Sequence, residues 1–290
     1  MSRMSRQTPS SFQFMFPNAL VKKIRRWDRK LAISKRQQLV LVTLFLTAGL
    51  LLTQMVSPDL RYPMVILLSV LAYAGSAWGL REDLDGVDWL MLLTLPTLYT
   101  GAVALFYFLL PVRWLTRLPI AALYAVGMYA LLLTENIYNV AANRSIALLR
   151  AAHSVGFLLT LVTYFLLIGT ILSFRFPTMV TAALVALVSG LLTVQSLWCM
   201  LLENHLSENL RKIAAVLTAV FFELAWIFAF WPIRTVLIAL FLTIVFYSTV
   251  GMAQQYVVEK LYRKTVIEFA SVTAIVFILL IFATHWRGNL

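Results

Sequence analysis

Charge is the scarcest thing in this chain. Of its 290 residues only 12% are charged, 61% are apolar, and the mean hydropathy is +0.87. A soluble domain carries about 25% charged residues. A chain of this composition cannot cover a water-facing surface, so lipid is the solvent that fits most of it. Cysteine is almost absent. The single Cys199 excludes an intramolecular disulfide and any metal site built on several thiolates. Histidine is nearly as rare, with three in all, and no span carries a helical metal motif. No metal and no cofactor are therefore expected. Signatures of catalysis are missing too. There is no phosphate-binding glycine loop, dinucleotide fingerprint, nucleophile elbow or zinc-protease motif.

Acids are outnumbered two to one, 12 against 24 Lys and Arg, which leaves a net charge of +12. Such an excess first suggests nucleic acid, but its distribution argues otherwise. Ten of the 24 basic residues precede the first apolar run: Arg3, Arg6, Lys22, Lys23, Arg25, Arg26, Arg29, Lys30, Lys35 and Arg36. No nucleic-acid-binding module accompanies them. A basic tail beside a span is a topology signal and a contact for anionic lipid headgroups.

What is abundant is apolar sequence in span-length runs. Nine candidates cover 39–56, 62–80, 89–110, 118–134, 151–174, 178–202, 213–230, 236–254 and 266–284. Backbone groups in hydrocarbon must be satisfied within the segment, so each run is expected to be a helix. The expected fold is an all-α, polytopic transmembrane bundle of about nine spans, residues 39–290. A basic arm, residues 1–38, precedes it. The fourth span is the shortest, and the seventh contains an acid. Pro96 is expected to kink or break the third. Aromatic residues at span ends, Tyr62, Trp89, Trp114, Trp231 and Trp286, read as headgroup-level anchors.

Within the arm, Leu20, Val21, Ile24, Trp27 and Leu31 follow helical spacing over 18–33. Lys22, Lys23, Arg25, Arg26, Arg29 and Lys30 fill the rest. That pattern predicts an amphipathic helix lying in the headgroup boundary; the alternative is an unstructured basic tail. With the N-terminus in the cytoplasm, 18 of the 24 basic residues fall inside and 6 outside. Without the tail the split is 8 to 6, so the orientation rests on the tail. The expected location is the plasma (inner) membrane. An organelle membrane is the alternative, because residues 1–16 combine serine and arginine without acid, as transit peptides do.

Under that map the polar groups gather on the inner side. Among acids, only Asp59 and Glu223 lie outside the tail and the inner span ends. Arg81–Asp88 reads REDLDGVD, which lacks the spacing of a calcium-binding loop and of the paired aspartates of membrane prenyltransferases. The longest polar stretch runs from Glu135 to His153. Glu135, Asn139 and Asn143 would share one face if the fourth span continued as a helix. Arg150 and His153 would share a face at the start of the fifth. Carboxylate, amide, guanidinium and imidazole together suit a phosphate or a lipid headgroup. Glu203 and His205 form a second cluster. Inside the spans, Glu223 is the isolated acid, and Gln195 is its expected polar neighbour by depth. Two small-residue rows, Gly75 with Gly79 and Ala182 with Ala186 and Gly190, predict close helix approach.

Besides a sensor or anchor whose basic arm meets anionic lipid, two functional classes follow. One is a non-enzymatic transporter-like or assembly component, motivated by Glu223 and the small-residue rows, with a membrane-protein partner or a homo-oligomer implied. The other is a membrane enzyme acting at the cytoplasmic face on a lipid-linked or phosphorylated substrate.

Overall fold

The structure is a computed structural model that describes residues 34–53, 60–80, 88–109, 114–141, 148–203 and 206–284. The predicted arm helix and its six cationic residues lie outside these. Among the described residues there are nine α-helices and no strands: α1 Lys35–Thr53, α2 Arg61–Leu80, α3 Asp88–Phe108, α4 Trp114–Ala141, α5 Leu149–Ser173, α6 Thr178–Leu201, α7 Glu208–Phe228, α8 Thr235–Val257 and α9 Arg263–Ala283. The chain is an integral membrane protein with an all-α bundle. Eight of these helices are long and apolar enough to cross a bilayer. The exception is α7, the expected seventh span, which carries Glu208, Arg211, Lys212 and Glu223.

Short connections make sequential helices antiparallel neighbours. Both small-residue rows are used inside the chain. A side chain at Gly75 or Gly79 would meet Val42 or Leu39 of α1 at 3.0 and 3.1 Å. One at Gly190 would meet Thr218 of α7 at 2.7 Å. These glycines let α2 close on α1 and α6 close on α7. Pro96 does not end its helix. α3 runs unbroken through it, and the Thr100 hydroxyl donates to the Pro96 carbonyl at 2.9 Å.

Two apolar cores fill the bundle. The larger one runs along its length, and some buried hydroxyls pair within it. The Tyr164 and Ser189 hydroxyls meet at 3.0 Å, as do those of Thr100 and Tyr124. A smaller core lies at the end formed by the last turns of α2, α4 and α6 and the first turns of α3, α5 and α7. It includes Leu80, Trp89, Tyr138, Trp198 and Cys199. Trp89 is buried there rather than set at a lipid boundary. We call this the polar end. α9 packs on α8 and buries only Leu280, which lipid as solvent permits.

Candidate functional site

The polar end is built by a helix that outlasts its apolar run. The hydropathy pattern ends the fourth span at residue 134, but α4 continues two turns further to Ala141. Those turns carry Glu135, Tyr138 and Asn139 into the smaller core. Lost apolarity did not end the helix, because neighbouring helices shelter these groups from lipid.

Glu135 is fully buried, and neither carboxyl oxygen has a hydrogen-bond partner among the described residues. Asn139 lies one turn along on the same face and is 1% exposed. Its amide nitrogen donates to the Leu80 carbonyl at 2.9 Å, capping the last turn of α2. Its Oδ1 has no donor among the described residues. The Tyr138 hydroxyl donates to the Ala152 carbonyl at 2.9 Å across to α5. Gly156 makes room for that ring, since a Cβ there would sit 2.6 Å from the Tyr138 hydroxyl. His153, half-buried, stacks on Tyr138. Its Nε2 lies 3.0 Å from the Cys199 carbonyl. A carbonyl can only accept, so Nε2 carries the proton.

From α6, Gln195 is 2% exposed. Its amide nitrogen donates to the Cys199 sulfur at 3.3 Å, and its Oε1 has no partner among the described residues. Gln254 of α8 closes the far side, donating to the Ser196 hydroxyl at 2.7 Å. A cavity of about 10 Å³ is lined by Tyr138, His153, Gln195, Ser196, Cys199 and Gln254, among others, and by neither Glu135 nor Asn139. That is close to the room one water needs.

The other residues singled out in the sequence are placed elsewhere. Arg150 is exposed, and its guanidinium has no partner among the described residues. Glu203 is half-buried, and its backbone carbonyl takes the Trp198 indole N–H at 2.9 Å. Asn143 and His205 fall outside the described residues. Glu223 is exposed on α7, in an open groove with Met179, Phe222, Trp226 and Ile227. It makes no ion pair with Arg234 among the described residues.

Nor are Glu223 and Gln195 neighbours. Gly190 faces Thr218 across the antiparallel pair, so Glu223 is level with about Val185. Gln195 lies ten residues further along α6, roughly 15 Å away at 1.5 Å per residue. Counting depth along separate spans could not supply this register. Sequence reading also missed Tyr138, Ser196 and Gln254. An amide inside an apolar run was the available signal for Gln254.

Residues 48–283 match the model of a family described as a protein of unknown function (DUF5656). The chain belongs to this family. The matched region takes in the whole polar end and excludes the basic arm. No curated protein and no solved structure matches the chain.

Proposed function

We propose that this protein is a non-enzymatic, transporter-like membrane component that works through the buried polar centre around Glu135. The observation that carries this reading is the state of that carboxyl. It is fully buried with both oxygens lacking a donor among the described residues, and a further unpaired buried oxygen lies one turn along on Asn139. Burying polar groups without partners is costly, and native proteins keep such groups chiefly where they are used. Glu223 and the small-residue rows, which first suggested this class, contribute less. The rows are consumed within the chain, and Glu223 faces outward.

The competing reading is an enzyme at the cytoplasmic face on a lipid-linked or phosphorylated substrate. It needs a cation beside Glu135 and His153 to hold phosphate. Arg150 is exposed, and His153 is engaged with the Cys199 carbonyl, so that reading has less support.

On the proposed reading the basic arm lies on anionic headgroups of the plasma membrane, and the polar end opens toward the cytoplasm. Charge reversal across Lys22, Lys23, Arg25, Arg26, Arg29 and Lys30 should then weaken binding of the arm to anionic vesicles. The central test is flux. Liposomes containing the protein should pass protons or a small cation under an imposed gradient, read with a pH-sensitive or ion-sensitive dye. Glu135→Gln should abolish that flux, and Glu223→Gln should leave it intact. Equal flux in liposomes with Glu135→Gln would sink the proposal.

A further inference from the structure

The outward face of α7 carries Glu223, exposed and without an ion pair among the described residues. We propose that the groove around Glu223 binds the headgroup of a phospholipid that bears a primary ammonium, the ethanolamine class. The inference does not depend on the reading of the polar centre.

The groove holds about 490 Å³ and is lined by Met179 of α6 and by Phe222, Glu223, Trp226 and Ile227 of α7. A hollow of about 290 Å³ adjoins it, since Ile227 lines both, and reaches past Phe230 to Pro232. Glu223 is level with about Val185, so this path rises from the acid toward the end of the bundle opposite the polar end. Phe222 precedes Glu223 and Trp226 lies one turn after it, with their ring centroids 6.0 Å apart. A carboxylate beside aromatic rings recognises ammonium twice over, by its charge and by the ring quadrupole. At the head of the path stand Arg175, four residues before Met179, and Arg234, two after Pro232. Both are exposed, and neither forms an ion pair among the described residues. They suit the phosphate that such a headgroup carries beside its ammonium.

The surroundings decide the occupant. α7 exposes Val216, Trp226, Ile227 and Phe230 on either side of the acid, so this face belongs to the membrane. Lipid is the molecule that reaches it, and the carboxylate decides which lipid. An anionic headgroup without an amine brings no cation. A choline headgroup brings charge but no N–H. A primary ammonium supplies both charge and hydrogen-bond donors to the carboxylate oxygens. A second copy of the chain fits less well. A symmetric pair packed on this face would bring two Glu223 carboxyls to one depth, like charge against like. The depth suits a lipid as well. Glu223 lies about 10 Å below the start of α6, within the range over which a charged side chain and a headgroup draw together.

The test uses the full-length protein, delipidated in detergent and given equimolar phosphatidylethanolamine and phosphatidylcholine with matched acyl chains. Both lipids are net neutral, so the basic arm does not distinguish them. Bound lipids are counted by native mass spectrometry. The wild type should retain the ethanolamine lipid over the choline lipid by about threefold or more. Glu223→Gln keeps the size of the side chain and removes its charge, and should bring the two lipids level. Trp226→Leu should cut the preference by about half. Glu268→Gln changes an exposed acid of α9 outside the groove and should leave the preference unchanged. All three side chains are exposed, so the variants should fold, and size exclusion in the same detergent checks that they do. Equal retention of the two lipids by the wild type would overturn the proposal. So would a preference that survives in Glu223→Gln. A two-chain mass that Glu223→Gln splits would assign this face to a second copy and overturn it as well.

Discussion

Glu135 and Glu223 are both acids carried on helices that pack in the bundle, and they meet opposite surroundings. Glu135 sits buried at the polar end of α4, which packs against α1, α3 and α5. Glu223 sits on the outer face of α7. Its register with Val185 places it seven residues in from Thr178, about 10 Å below that end of α6. Within a hydrocarbon core about 30 Å thick, that depth lets a carboxylate reach toward the headgroups. The isolated acid that stands out in the sequence is thus the one with an escape. The acid that a span-end reading treats as wet has none.

The strongest test of this contrast is a charge swap. Glu135→Arg would bury a large cation where no solvent reaches, costing several kcal/mol. It should abolish the monodisperse peak in fluorescence-detected size exclusion. Glu223→Arg should elute as wild type. The opposite ranking would invert the assignment of buried and exposed acids.

A subtler change probes the wall of the polar end. In Gly156→Ala the new methyl meets the Tyr138 hydroxyl at 2.6 Å, so the ring must move off the Ala152 carbonyl. The expected cost is about 1–3 kcal/mol, read as a lower melting temperature. Gly169→Ala adds a methyl 3.9 Å from Ala239, an ordinary contact, and should be close to neutral. Similar losses in both would show that the polar end is not more tightly built than the rest.

Removing the outward acid should help rather than harm. An acid at mid-span costs about 2.5–3.5 kcal/mol on insertion scales, and less toward the boundary. Glu223→Leu should therefore raise thermal stability by about 1–2 kcal/mol. A drop instead would mean that Glu223 has a polar partner that matters. The smallest effect belongs to the Lys212–Glu208 pair, 2.8 Å apart one turn along α7 and exposed on both sides. Lys212→Ala should cost less than about 0.5 kcal/mol.

Much of the architecture was legible in the sequence, because span length and apolarity act locally. Each helix satisfies its own backbone, so a 20-residue apolar run needs no partner to declare itself. The small-residue rows were legible for the same reason, though not what they pack against. The site was only half legible. Glu135, Asn139, His153 and Gln195 were noticed as unusual, and the prediction that the first two share a face depended on α4 outlasting its apolar run. Arg150 was grouped with them because sequence spacing records which residues share a face, not which face turns inward. Gln195 was paired with Glu223 because depth along two spans was counted without the register that Gly190 and Thr218 impose.

Sequence alone determined that the chain lives in lipid as a helical bundle, since composition and run length respond to the solvent and to nothing else in the molecule. Tertiary structure alone decided which acid is enclosed. Burial of a polar group depends on how other helices pack, here α1, α3 and α5 closing on α4, and no local pattern encodes that enclosure.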